Sequence, residues 1–271
     1  MTTIKIPTWY YQAFDADRLL DVPAEGYGGW KKADLDINTE TTALVIMHAW
    51  DCGTWEKYPG WFRAIEYIPR SYKICETVFP KLLNAVRSTD MRLFHVVSTN
   101  DPYYKEYPGF KKTVELAGSE PISPERIQPD ESYRKLLKFK QEYAQPGKHN
   151  IGDIQRGRPL VDFPSNAKPE SDEPIAQNSH QLFALCKKYG INHLIYGGFA
   201  INGCLWTSPG GMVDMQRRGI ICSAIRQAVT AIENKDTART ELAKEIALWQ
   251  VASLYGFVYD VDDFTQSIQS K

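Results

Sequence analysis

The stretch YGINHLIYGGFAINGC, residues 189–204, ends in a cysteine whose placement suits nucleophilic chemistry. An apolar run at 193–199 carries Gly197 and Gly198, and a turn of helix is expected to begin at Cys204. A helix N-terminus favours a thiolate over a thiol. Its N–H groups also suit an oxyanion formed on a carbonyl substrate. Ligands of open α/β sheets sit beyond the carboxyl ends of the strands. That rule selects three neighbourhoods here, residues 48–54, 99–104 and 200–204. Between them they hold His48, Trp50, Asp51, Asp101, Tyr103, Tyr104 and Cys204. Taken alone, a cysteine after a strand also fits a small packed hydrophobe, and the residues leave both readings open.

The elements that must position these groups are legible as patterns. Short apolar runs at 42–48 (TALVIMH), 92–98 (RLFHVVS) and 193–199 (HLIYGGF) predict buried parallel strands, with shorter ones at 219–223 and 256–259. Apolar residues at spacings of three and four predict helices over 72–89, 179–189 and 237–255, with a short one over 212–218. Gly190 is a natural stop for the second of these. Strands alternating with helices imply an α/β fold, a mainly parallel sheet covered on both faces. Residues 1–38 are aromatic and read as an irregular N-terminal arm, lying on the domain or on a neighbouring subunit. Residues 39–271 read as one α/β domain. Within it, residues 101–170, rich in Pro, Gly and charge, read as a lid-like insertion with one helix at 131–143.

Composition narrows the function classes. The 271 residues are 43% hydrophobic, and 32 basic against 33 acidic side chains leave a net charge of -1. That balance argues against nucleic-acid and anionic-membrane partners. No window approaches the ~18 uninterrupted apolar residues of a spanning helix, and the first residues lack the apolar core of a secretory signal. The five cysteines are scattered without a C-x-x-C pair, so a reduced, cytoplasmic chain is expected. Neither a dinucleotide fingerprint nor a phosphate-loop motif occurs.

Three features together resemble the isochorismatase-like cysteine hydrolases, the superfamily that includes nicotinamidases and N-carbamoylsarcosine amidase. They are TALVIMHAWD at 42–51, the run ending in Cys204, and a tail of helix, Gly219, strand, long helix and short strand in the same order. The resemblance covers roughly residues 40–100 and 175–262. It implies a three-layer α-β-α sandwich with a Rossmann-like sheet, and a small-molecule substrate attacked at an amide, carbamoyl or related carbonyl. Cys204 takes the nucleophile's position. The position of the family's Asp falls on His48, or on Met47 if the strand slips by one. Asp51 could supply the carboxylate or orient His48. The family's Lys counts onto Ser171, and Lys168 is the nearest lysine. A cis peptide is implied near Ala200–Ile201, with the amides of Ile201, Asn202, Gly203 and Cys204 facing the oxyanion. Trp50, Tyr103 and Trp206 are candidate pocket walls, with Tyr104 and Trp55 beside them. Nicotinamidases carry an Asp and two His after the second strand. Here STNDPYYKEY has Asp101 but no His, and His95 falls inside the strand, so neither metal nor cofactor is expected. Pro209-Gly210-Gly211 should break the helix that follows Cys204 after about one turn. Relatives form dimers or tetramers, so a homo-oligomer is expected. With two triad positions altered, the alternative is a catalytically silent relative that binds a ligand or serves in assembly.

Overall fold

The computed structural model describes residues 3–99, 101–121 and 125–270. Among them, eight strands form one sheet: β1 (Thr3–Gln12), β2 (Gly29–Asn38), β3 (Thr42–Met47), β4 (Arg92–Val96), β5 (Ile175–Ala176), β6 (His193–Phe199), β7 (Ile221–Thr230) and β8 (Val258–Tyr259). Their order across the sheet is β2-β1-β8-β7-β6-β3-β4-β5. From β8 to β5 every pairing is parallel, and β1 joins both β8 and β2 antiparallel.

β3 and β6 lie at the centre, and every residue of both is buried. A strand covered on both faces has no reason to alternate, which is why both read as continuous apolar runs. Ala43, Val45 and Met47 pack with Leu194 and Tyr196 under helices Ser179–Tyr189 and Leu242–Leu254. Leu44 and Ile46 face the other way, against helices Phe79–Arg87 and Val261–Gln269. The architecture is the mainly parallel sheet covered on both faces that the sequence pattern predicts, in the three-layer α-β-α form that the resemblance implies.

Several local expectations are corrected. Residues 3–38 are not an irregular arm. β1 and β2 pair over ten residues, from Thr3↔Asn38 to Gln12↔Gly29, and β1 extends the sheet beyond β8 through Thr8↔Tyr259 and Trp9↔Val258. The aromatic residues of this region are used inside the chain: Trp30 stands edge-on to Tyr11, and Tyr11 edge-on to Trp249. Pro7 and the run Trp9-Tyr10-Tyr11 obscured the strand, because proline is rare inside sheets and unbroken aromatics show no period of two. The helix expected over 72–89 is two helices, Ile68–Thr77 and Phe79–Arg87. Pro80 lacks an N–H and its ring clashes with the preceding turn, so a continuous helix cannot pass through it. The helix expected from 237 starts at Leu242, where the Glu233 carboxylate accepts the Ala243 and Lys244 backbone N–H groups at 3.0 Å each. The insertion holds helices Pro108–Ala117 and Ile151–Gly157 besides the expected Glu131–Tyr143. Its residues 122–124 lie outside the described residues, as do residues 1–2 of the expected arm.

Burial of histidine ties stability to pH. His193 is buried with Nε2 2.8 Å from Ser223 Oγ, and burial pushes its imidazole down to about 4. His95 is also lowered by burial. The unfolded chain takes up protons below its ordinary histidine value, whereas the folded chain resists them until about 4. Stability is therefore full above ~6.5 and is lost as pH falls towards 4. His193 alone should account for about 2 kcal/mol between pH 7 and pH 5. Urea unfolding at both values checks this. His193→Gln should reduce the pH difference by that amount, and an undiminished difference would refute the assignment.

Candidate active site

The chain passes from β3 into His48, which takes a left-handed conformation at φ 53° and donates its backbone N–H to Val96 O at 2.8 Å. That turn aims the residue away from the strand line, at the carboxyl edge of the sheet. Next to it, β3 and β6 run unusually close. Gly198 has φ 124°, and a Cβ built there would lie 1.8 Å from Met47 O. Only glycine tolerates both conditions. β6 ends at Phe199, and the following peptide, Phe199–Ala200, is cis. The cis bond was expected one residue later, at Ala200–Ile201.

Residues 200–204 then wind into a tight turn. Ile201 N–H donates to Thr230 O at 2.9 Å, and Gly203 N–H and Leu205 N–H both donate to Ala200 O at 3.1 Å. The expected oxyanion set is thereby corrected, because the amides of Ile201 and Gly203 are already engaged. The N–H groups of Ala200, Asn202 and Cys204 have no acceptor among the described residues. Asn202's side chain clasps the Ile232 backbone, donating to its carbonyl and accepting its N–H at 2.8 Å each. Helix Cys204–Thr207 lasts one turn before Ser208 and Pro209, as the sequence predicts. The loop behind it is held by Tyr196 Oη donating to Gly210 O at 3.0 Å and Gly210 N–H donating to Ser179 Oγ at 2.8 Å.

A cavity of about 260 Å³ opens at this edge of the sheet. The turns after β3 and β6 supply His48, Trp50, Cys204 and Ser208. The loop after β4 supplies Ser98, Asp101 and Tyr103. Trp61, Ile65 and Tyr67 close one side, and Arg158 and Val161 of the insertion close another. Of the four other cysteines, all buried, Cys52 is pushed up to about 11 by burial and Cys75 and Cys186 to about 12, and Cys222 is raised further. These stay as thiols in the core, whereas Cys204 is half-buried and faces the cavity. His48 is largely buried, and desolvation of its imidazole pushes it down to about 4, so at neutral pH it is uncharged. Its ring nitrogens have no hydrogen-bond partner among the described residues. A neutral, unengaged imidazole beside a thiol is chemically able to accept its proton.

The structure thus brings Cys204, His48, Trp50 and Tyr103 to one cavity. Three other candidates lie elsewhere. Asp51 Oδ1 accepts from Tyr72 Oη at 2.8 Å and Gly53 N–H at 2.7 Å, and Asp51 lines a separate cavity with Tyr72 and Cys75. Its backbone bridges to Asp162 of the insertion, which turns it away from His48. Lys168 Nζ pairs with Asp162 Oδ2 at 2.9 Å on the surface, outside the cavity. Trp206 packs on Tyr255, with ring centroids 6.1 Å apart, as part of the core. Ala200 and Ile201 are fully buried.

Sequence reasoning missed Trp61, Ile65, Tyr67, Ser98, Arg158, Val161 and Ser208, and gave Asp101 no role. Asp101 carried a usable signal, since it falls just after β4 at the edge where ligands bind. Its Oδ1 accepts from Arg158 Nε at 3.0 Å. Burial and the nearby Asp101 carboxylate raise the Tyr103 phenol, so it remains a hydrogen-bond donor. His95 lies within β4 with Nε2 2.9 Å from Glu173 Oε2, away from the cavity. Among the described residues no group of three or more His, Cys, Asp and Glu side chains gathers as a metal set. Among them no helix is long and apolar enough to cross a membrane.

No family model matches the chain. The chain is 27% identical over 88 residues to ureidoacrylate amidohydrolase RutB of Serratia proteamaculans (strain 568). That match spans 32% of this chain and 32% of the relative's length. Among solved structures, it is similar to a cysteine hydrolase from Pseudomonas syringae pv. phaseolicola 1448A, with TM-score 0.49 and 15% identity over 86% of this chain and 95% of that one. It is likewise similar to N-carbamoylsarcosine amidase from Thermoplasma acidophilum, with TM-score 0.43 and 13% identity over 82% and 97%. The proteins to which this α/β chain is similar include, in sequence across about a third of its length, an amidohydrolase and, among solved structures, a cysteine hydrolase and an amidase.

Proposed function

We propose that the chain is a cysteine-dependent hydrolase of the isochorismatase-like type, cleaving a C–N bond in a small amide, carbamoyl or related compound. One observation carries the reading: Cys204, the one cysteine of the five that is not buried, opens onto the cavity that a neutral His48 also lines. The amidohydrolase named above, similar over 88 residues, supports the bond type.

The residues suggest the following course. His48 accepts the Cys204 proton as Sγ adds to the substrate carbonyl carbon. The oxygen that gains the electron pair takes hydrogen bonds from the unengaged amides near Cys204, among them those of Ala200 and Cys204. The C–N bond then breaks, and the leaving nitrogen takes the proton from His48. A thioester remains on Cys204. Water gives a proton to His48 and adds to the thioester, and the acid departs as the thiol regains that proton. The half-closed cavity and its aromatic walls limit competing water. Arg158 and Val161 of the insertion act as part of a lid over it.

Iodoacetamide labelling of the native chain tests this. Cys204 should be alkylated well before the four buried thiols. His48→Ala should slow that labelling at neutral pH by about a hundredfold, the size of a lost proton acceptor at the low end of general-base effects. A Cys204 that labels no faster than Cys52 or Cys186 overturns the nucleophile. An unchanged rate in His48→Ala overturns the proton acceptor.

A further inference from the structure

Arg158 has no counterpart in the chemistry described so far. It follows helix Ile151–Gly157 in the insertion, far along the chain from both strand ends that supply Cys204 and His48. Its position is held from both sides. Nε donates to Asp101 Oδ1 at 3.0 Å, which fixes the plane of the guanidinium. Gly157 lets the chain lie flat against Trp61: a Cβ there would meet Trp61 Cζ3 at 2.7 Å, so no larger residue fits without moving the ring. The outer fork, Nη1 and Nη2, has no acceptor among the described residues, and the side chain is 47% exposed where it lines the cavity. A guanidinium tied at Nε and open at its fork is the arrangement that binds a carboxylate through two parallel hydrogen bonds.

A second observation points the same way. The Trp61 indole N–H is buried without any acceptor, in the wall of the same cavity. Buried donors normally find a partner, so this wall has a hydrogen-bonding capacity that the chain itself leaves unused. Trp61 and Trp50 lie with ring centroids 5.7 Å apart, an aromatic wall beside Arg158 that suits a short planar or apolar spacer. At about 260 Å³ the cavity is smaller than the ~300–1,000 Å³ typical of drug-sized sites.

We propose that the substrate is a small amide that also carries a carboxylate, and that Arg158 is the specificity-determining residue that binds this carboxylate through its free fork. The inference rests on the hydrolase reading for which end of the molecule reacts, but not for whether the carboxylate binds. Asp101 serves as the positioning residue for Arg158. Its own negative charge is balanced by the Nε contact, so the fork still attracts an anion.

Calorimetric titration of the full chain tests it, using the Cys204→Ala variant so that nothing is turned over. The probes are succinamate and malonamate, each against its neutral diamide, succinamide or malonamide. Both carboxylates should bind at least about tenfold tighter than the neutral partners, a modest figure for a charge-assisted pair. Arg158→Gln should abolish that preference while leaving the diamides unchanged. Arg158→Lys should keep part of it, since the charge survives and the fork does not, and it also guards against a Gln variant that fails to fold. No preference in the Arg158 chain, no detectable binding of either carboxylate, or an undiminished preference in Arg158→Gln would each overturn the proposal. Because the thiol is absent from this experiment, its failure is separate from a failure of Cys204 labelling.

Discussion

Replacing Cys204 by Ala should lower hydrolysis of any accepted amide by about 10³-fold or more, the scale on which loss of a covalent nucleophile registers. The variant should fold normally. Cys204 Sγ makes no hydrogen bond among the described residues, and the site is half open. Removing one sulfur from such a position leaves no buried void, so the cavity cost of a core truncation does not apply. Rescue by another thiol is not expected, because Cys52, Cys75, Cys186 and Cys222 are all buried and all shifted upward. Cys204→Ser should be nearly as inactive, since a hydroxyl needs a stronger base than an imidazole held near 4. The measurement is steady-state turnover beside a thermal melt of each variant. A Cys204→Ala chain that melts like the parent and keeps more than a tenth of its rate would remove the nucleophile from the mechanism.

The second large effect concerns the scaffold. Gly198→Ala should destabilise the chain by more than about 4 kcal/mol, at the extreme end for single substitutions. Two penalties combine there. The backbone sits at φ 124°, which a residue with a Cβ resists, and that Cβ would fall 1.8 Å from Met47 O, 2.8 Å from Met47 C and 2.9 Å from Met47 N. All three contacts are backbone atoms of the central strand β3, so no rotamer change relieves them. β3 and β6 would have to separate where His48 and the turn to Cys204 begin. Gly197→Ala is the natural control. Its Cβ would meet the Ala228 Cβ and the Ile46 Cδ1 at 3.2 Å and the Ala228 O at 3.4 Å, tight contacts that small shifts relieve, so a cost of about 1–3 kcal/mol is expected. Denaturant midpoints with soluble yield separate the two. A Gly198→Ala chain within about 1 kcal/mol of the parent would contradict the close approach of the strands.

The strands at 42–47 and 193–199 and the helices at 131–143 and 179–189 were readable because each depends on a local pattern. A strand buried on both faces is an unbroken apolar run, and a helix with one buried stripe repeats every three to four residues. Cys204 and His48 were readable for a related reason. Each follows directly on such a strand, so chain position and place in the sheet nearly coincide. Counting failed where a loop intervened. Asp51 is three residues past His48, yet its bridge to Asp162 turns it to another cavity. Lys168 stood closest to the expected lysine position, but a surface carboxylate captures it. Trp206 is two residues past Cys204, and helical rotation carries it to the core side. β1 went unseen as part of the sheet because it joins β8, over two hundred residues away in the chain, and Pro7 and the unbroken aromatics hid the period of two that would have shown its pairing with β2.

Read on its own, the chain settles the layered α/β architecture, the central strands and the two groups that those strands carry straight to the sheet edge, since periodicity and chain adjacency express them. Arg158, Asp101, Trp61 and Tyr67 gather around Cys204 only once the insertion and helix Pro59–Ala64 pack over that edge. Contacts between segments far apart in sequence arise from packing and buried hydrogen bonds that no single segment encodes, and loop direction follows from those contacts rather than from residue count.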